Sequence, residues 1–358
     1  MSDRQGSGSA DGTHVPRSRV WVGDRVVAED VAGPETADLL HHEADACAWA
    51  VVDPSDHERI GGVIDKFGLD EWVRRDLLGH DHHPEPDRLA ALGPERAAGR
   101  PQVKYEEFGD VRLVITAATE LPEQPRGRDA LDVRRVAMVI TPRLLLVVAG
   151  PEDADELGRH LVAAQSRLGP GGTERAAQAV LHGLSSGYFT VVQAIEDAGD
   201  ELADALFDLQ PLSREEKGTA FRLRRTVTEL RRVTVPMREV VEGLGQSSAE
   251  EPGSISRSWN LLIEHQTSVS AAADDLRDSL GALFDTSLAF DDSRMNEVMK
   301  KLTGWAAIVA VPTLVSGFAG MNVPFWGNGH ATGFYVYLAI MAVACVSLYV
   351  VFKRLEWI

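Results

Sequence analysis

Small, hydroxylated and acidic residues recur at alternating intervals of three and four along the last quarter of this chain. The row runs Asp275, Asp278, Ala282, Asp285, Ala289 and Asp292, then Asn296, Met299, Thr303, Ala306, Ala310, Thr313, Gly317 and Gly320. That spacing keeps every member on one face of a helix. A helix seam in water would carry Leu or Ile at these positions. Here the apolar residues Trp305, Ile308, Val309, Val311, Leu314, Val315 and Phe318 occupy the other faces. A row of small side chains permits either close helix packing or a narrow lined channel. Carboxylates repeated around a symmetry axis become rings that concentrate cations and suit hard divalent ions. Taken singly, each aspartate reads equally as part of a solvated helix face. Pro312 falls within the same helix and leaves the Ile308 carbonyl without its helical N–H, so a neighbour or water must satisfy that oxygen.

The elements that carry this row are set by charge. From Leu302 to Phe352 the chain has no Asp, Glu, Lys or Arg, although 25% of all residues are charged. At ~20 apolar residues per crossing, the stretch has room for two membrane-spanning helices. The competing reading is a buried helical hairpin of a soluble protein. Lys300 and Lys301 precede the first run, Lys353 and Arg354 follow the second, and the connector between them has no basic residue. The positive-inside rule then places both flanks in the cytoplasm, with the protein in the cell (inner) membrane. Residues 1–19 read as a disordered tail without the apolar core of a signal peptide. Residues 20–253 form a cytoplasmic α/β domain, 254–301 the cytoplasmic part of a stalk helix and 302–322 the first span. An extracytoplasmic loop at 323–332, a second span at 333–352 and a basic tail at 353–358 complete the order.

Composition excludes several classes. A net charge of −18 lacks the basic face that nucleic acid requires. Two cysteines, Cys47 and Cys345, build no disulfide framework. No phosphate-binding glycine loop or nucleophile elbow is present, so the chain is not read as an enzyme, and any transport is passive. Two spans from one chain cannot enclose a polar path. The pair is therefore either an anchor or one subunit's share of a symmetric oligomer.

Met295-Asn-Glu-Val-Met-Lys-Lys-Leu-Thr303, followed by Pro312-Thr-Leu-Val-Ser-Gly-Phe-Ala-Gly-Met-Asn322, resembles the CorA family of divalent-cation transporters. The triplet Gly320-Met321-Asn322 at the outer end of the first of two C-terminal spans is the hallmark. Looser resemblance, in the family's order, extends to Trp49, Val52-Asp53-Pro54, Phe67-Gly68-Leu69, Asp76, Arg100 to Tyr105, Gly187-Tyr188-Phe189 and Leu230 to Glu239. The resemblance implies an α+β fold: a homopentameric funnel with an N-terminal α/β cytoplasmic domain. One very long stalk helix, Ser254 to Phe318, would be continuous with the first span, and a second C-terminal span would follow. It further implies a filter at Gly320, Met321 and Asn322 that binds a hydrated cation, since magnesium dehydrates reluctantly and amide oxygens accept from its water. Asn296, Met299, Thr303, Ala306, Ala310, Thr313 and Gly317 would line the pore. Asp76 and Asp285 match the family's regulatory pair, through which cytoplasmic Mg2+ would hold the closed state. Asp275, Asp278 and Asp292 would add acidic rings. The cargo implied is Mg2+, with Co2+, Ni2+ or Zn2+ as further ions, and the partners are copies of the same chain and the bilayer.

Two positions depart from the family. Ala319 stands where an aromatic residue is common, and the loop Val323-Pro-Phe-Trp-Gly327 has no carboxylate to gather cations outside. A zinc transporter of the same superfamily, with proton coupling, is the alternative that this loop leaves open. A non-conducting membrane metal sensor is the alternative from another class. Two further clusters stand apart from the row. His80, His82 and His83, with Asp81, Glu85 and Asp87, have the types for a zinc or nickel site, or form a solvated loop. Glu196, Asp200, Asp204 and Asp208 fall four apart on a helix, where they attract cations or pair with Arg222, Arg224, Arg225, Arg231 and Arg232.

Overall fold

The computed structural model describes residues 15–66, 102–207, 212–247, 253–321 and 330–358, with short breaks at 24, 32, 44, 123–129 and 169–171; between 67 and 101 it describes Val73, Arg74 and Leu77. Within these, the chain divides into two compact units. The first comprises residues 15–201 and 218–280, and the second comprises 202–217 and 281–358.

The first unit is built on a seven-stranded mixed sheet. Its strands are β1 (Ser18–Val22), β2 (Arg25–Glu29), β3 (Ala46–Val52), β4 (Lys104–Phe108), β5 (Val111–Glu120), β6 (Asp132–Ile140) and β7 (Leu144–Ala149). They lie in the order β2-β1-β3-β7-β6-β5-β4. The pair β3–β7 is parallel and every other pair is antiparallel. Strand β1 begins at Ser18, so the expected tail to residue 19 ends earlier than charge and composition suggested, and Ser18 and Arg19 pair with Ala50 and Trp49. A two-residue turn joins β4 to β5, and Gly109 opens it at φ +57, a backbone region that glycine enters freely.

Strand β7, Leu-Leu-Leu-Val-Val-Ala, is buried at every position, as a central strand covered on both faces must be. Leu144, Leu146 and Val148 join Ala46, Ala48 and Val52 of β3 in one core. That core also takes in Leu40 of α1 (Gly33–His42) and Ile60, Val63 and Ile64 of α2 (His57–Lys66). Alternate residues of the central strands face the long helices instead. Those helices are α3 (Pro151–Leu168), α4 (Gly172–Phe207), α5 (Arg214–Ser247) and α6 (Gly253–Ala319). Thr116 of β5 sits within 3.2 Å of both the Tyr188 hydroxyl and the Met237 sulfur. The Tyr188 hydroxyl donates to the Ala117 carbonyl at 2.6 Å, and burial pushes that phenol far above its ordinary range.

A buried polar seam ties the helices together. Ser185 of α4 donates to Gln266 Oε1 at 2.9 Å, and Gln266 Nε2 donates to the Thr234 carbonyl of α5 at 3.0 Å. Ser270 donates to that same carbonyl at 3.2 Å. The carbonyl lies two residues before Pro236, which sits inside α5.

In the second unit, α6 runs its last 39 residues and is followed by α7 (Ala331–Arg354). The 67-residue α6 matches the expected stalk-and-span helix to one residue at each end. Both α6 and α7 are long and apolar enough to cross a membrane, and only 6% and 0% of their apolar windows are buried within the protein. A core hairpin of a soluble protein would be covered, so that reading fails.

Candidate functional site

Every member of the three-and-four row from Asp275 to Gly320 is exposed. In the apolar part of the same helix the less exposed positions follow another face: Gly304, Ala307, Ile308, Val311, Pro312, Val315 and Ala319. The packing explanation for the small residues can therefore be tested directly. A side chain added at Gly317 would meet no atom within 4 Å, whereas one at Gly304 would strike Ile358 at 3.0 Å. Gly304 is small because the protomer packs there, and no described residue requires Gly317 to be small.

The acidic residues divide in the same way. Beside the row, Asp274 pairs with Arg231 and Asp291 with Lys217, each at 2.5 Å. On the row, Asp275, Asp285 and Asp292 make no ion pair or hydrogen bond among the described residues. Asp278 has only Arg277, one residue away at 3.9 Å and mostly exposed. An exposed ion pair is worth little, so the distinction lies in placement: the helix neutralises its acids off the row and leaves those on it open to solvent.

Near the C-terminal end of α6, the Thr313 hydroxyl donates to the Val309 carbonyl at 3.0 Å. Its proton is thus committed within the helix, and the oxygen's lone pairs remain to accept hydrogen bonds from water around a cation. The helix closes with Gly320 N–H on the Ser316 carbonyl at 2.9 Å and Met321 N–H on the Phe318 carbonyl at 3.2 Å. Gly320 and Met321 are exposed there. Asn322 lies outside the described residues, as do Asp76, His80, His82 and His83. Among the described residues no three His, Cys, Asp or Glu side chains converge as a metal site. Divalent magnesium and calcium take six or more oxygen ligands. Asp285 by itself therefore fits a regulatory ion only if other chains or residues complete the set.

The C-terminal end of α7 is fastened to α6. Helix α7 stops in a Schellman turn: Trp357 N–H reaches the Phe352 carbonyl at 2.9 Å, and Glu356 N–H reaches the Lys353 carbonyl at 3.3 Å. Glu356 takes the left-handed position at φ +56. The Trp357 ring stacks on Phe352 at 5.6 Å, and Ile358 fills the space over Gly304. One helix turn away in α6, Lys301 donates to Glu297 at 2.7 Å, which holds that carboxyl below its usual range. Higher in the pair, Cys345 Sγ lies 3.7 Å from the Ile308 carbonyl, the oxygen that Pro312 leaves without a helical donor.

Two features escaped sequence reasoning. The Cys345 contact depends on the register between two helices, which no local pattern encodes. The His182 ring of α4 lies tilted beside that of His265 of α6, centroids 5.6 Å apart, and His182 also bears electrostatically on His160 of α3. Burial lowers the affinity of His160 and His265 for a proton. The acidic residues Glu196 and Asp200 make no ion pair with the arginines of α5 among the described residues. Arg225 bonds Glu229 instead, and Arg231 bonds Asp274.

The fold and this site together define an α+β protein on two membrane-competent helices, with a polar row along the longer one. Residues 95–354 match the family of CorA-like Mg2+ transporter proteins, and the chain belongs to that family. This is a transporter family rather than a family of enzymes. The chain is 30% identical over 187 residues to the cobalt/magnesium transport protein CorA of Thermotoga maritima, covering 50% of this chain and 51% of that protein. It is 26% identical over 183 residues to the CorA of Methanocaldococcus jannaschii, covering 50% and 56%. The chain thus spans about half the length of the curated relatives it matches. In structure it resembles the complete CorA magnesium transporter of M. jannaschii, with a TM-score of 0.68 at 20% identity, covering 95% and 98% of the two chains. The full-length CmaX protein gives 0.66 at 18%, covering 97% and 99%. At those identities the likeness is one of fold.

Proposed function

We propose that this chain is one subunit of a symmetric homo-oligomer, a pentamer by family resemblance, that passes hydrated Mg2+ and Co2+ down their gradient along the α6 row. The observation that carries this reading is the row itself, exposed from Asp275 to Gly320, with open space at Gly317 and no cationic partner at Asp275, Asp285 or Asp292 among the described residues. A merely anchoring helix has no reason to segregate its unpaired acids onto the face that continues into its small residues.

Each residue then has a task. Repeated around an axis, the aspartates gather divalent ions at the inner mouth, and the membrane potential adds ~2.3 kcal/mol per charge per 100 mV. Thr313 offers lone pairs to the ion's hydration water, and the small Ala306, Ala310 and Gly317 leave width for it. Gly320, Met321 and Asn322 form the outer filter, where amide oxygens accept from water that magnesium retains. Both termini lie in the cytoplasm of a cell-membrane protein, with residues 20–253, 254–301, 302–322, 323–332, 333–352 and 353–358 as domain, stalk, span, outer loop, span and tail. Asp285 with Asp76 forms the regulatory pair. Bound Mg2+ bridges carboxylates that repel when it leaves, so binding selects the closed state.

Isotope uptake by proteoliposomes across Mg2+, Co2+, Ni2+ and Zn2+ tests the transport. Asn322→Ala is expected to abolish flux of the preferred ion while the oligomer stays assembled. Undiminished flux in that variant would remove the filter, and zinc uptake alone would replace magnesium as cargo. Asp285→Ala is expected to raise the internal Mg2+ concentration needed to close the channel. Currents that shut at the wild-type concentration would end the regulatory assignment.

A further inference from the structure

Pro312 and Cys345 meet across the two spans. The proline has no N–H to give the carbonyl of Ile308. In hydrocarbon no water replaces that donor, and an unsatisfied carbonyl is costly. Cys345 Sγ sits 3.7 Å from the Ile308 oxygen, within reach for a thiol donor. The contact lies where the faces agree. On α7 the less exposed positions are Gly333, Tyr337, Met341, Ala344, Cys345, Leu348 and Phe352, one helical stripe, and Ile308 belongs to the matching stripe of α6. Below it, Ile358 over Gly304 fixes the inner ends of the pair, so the thiol is a second and higher point of attachment.

We propose that Cys345 is a positioning residue: its S–H donates to the Ile308 carbonyl, caps the break made by Pro312 and thereby sets the direction of the helix segment beyond it. That segment carries Thr313, Gly317 and Gly320, so the facing of the outer half of the row depends on a bond from the other span. A thiol suits the position. It is a weak donor with little desolvation cost, compatible with lipid around α7 yet able to satisfy one lone pair. A hydroxyl would serve the same oxygen, whereas a methyl would leave it bare. The consequence for transport rests on the pore reading of α6; the bond itself does not.

The test uses the full-length chain in liposomes with Cys47→Ala, which leaves Cys345 as its single thiol. Its infrared S–H stretch is expected at lower frequency than that of a free thiol. Pro312→Ala, which returns an N–H to the Ile308 carbonyl, is expected to move the band toward the free value. In cation flux, Cys345→Ala is expected to change the rate roughly two- to fivefold, the factor set by one weak hydrogen bond. Cys345→Ser should stay close to the parent, and Cys345→Ala should add nothing once Pro312→Ala is present. A band indifferent to Pro312→Ala overturns the proposal. So does a Cys345→Ala effect of equal size in both backgrounds, which would mean packing alone. A band that responds to Pro312→Ala in a protein that moves no cation supports the cap while sinking the pore.

Discussion

Helices α5 and α6 each carry an internal proline, and the two breaks differ in what surrounds them. Pro236 leaves the Arg232 carbonyl without its helical donor, but Arg232 is exposed and water is at hand. Close by, on the buried side, the Thr234 carbonyl receives two side-chain donors, Gln266 and Ser270. Pro312 makes the same break within a long apolar run, and there the freed carbonyl finds a single thiol. In the sheet domain, water reaches the exposed side of α5 while amide and hydroxyl side chains serve the buried carbonyl. In the spans, one sulfur replaces that whole arrangement. A proline in a helix is thus a question about its solvent, answered by amides and hydroxyls in one region and by a weak donor in the other.

The largest effect expected from breaking this comparison is on the buried seam. Gln266→Leu strands the Ser185 hydroxyl and removes one donor from the Thr234 carbonyl. A buried group left unsatisfied costs about 1–3 kcal/mol. Thermal unfolding of the detergent-solubilised protein should show a clear loss of stability. An unchanged midpoint would mean the seam contributes no more than water would, and the contrast between the two prolines would collapse. The Cys345 substitutions come next, with their smaller weak-bond factor.

The smallest expected effect sharpens the comparison through pH. The stretch from Leu302 to Phe352 has no carboxylate, lysine or arginine, so acid-linked stability belongs to the aqueous part. His160 and His265 bind protons less readily than a free histidine. For His160 burial is the main cause; the charges of His182 and Arg159 add to it and Glu156 opposes it. For His265 the causes are burial and then His182. Above the ordinary value of 6.5 both folded and unfolded chains hold these rings neutral. As pH falls through that value, the unfolded chain takes up protons that the folded one resists, so stability declines. His160→Gln with His265→Gln should flatten the decline below about pH 6.5. A slope unaltered by the pair would assign acid sensitivity to other groups.

Much of this architecture is legible in the sequence because its signals are local. The absence of charge marked both long apolar helices, and every member of the three-and-four row is exposed, as are Trp305, Val309, Leu314 and Phe318 on other faces of α6. Pro312 announced an orphan carbonyl at Ile308. Its partner stayed hidden because Cys345 is 37 residues away and only the pairing of two helices brings it near. Likewise β3 lies beside β7 through a parallel pairing, Ala48 with Leu144, that no turn signal between them could disclose. Ser18 and Arg19, polar and close to the N-terminus, looked like a tail because a strand so short borrows its stability from β3 rather than from its own composition. Gln266 passed unnoticed for a related reason: a buried glutamine is meaningful only once its two partners are known.

The row on α6 repeats every seven residues, whereas an undistorted α-helix returns to the same face slightly later. The mismatch is ~20° per heptad, so over the span from Asp275 to Gly320 a straight helix would turn the acidic end roughly 130° away from the filter end. Both ends can face one axis only if copies of α6 wind around each other in a left-handed sense. In the oligomer proposed above, that winding would act as a torsion spring: an ion drawing the aspartates together would turn Thr313 and Gly317 as well as displace them.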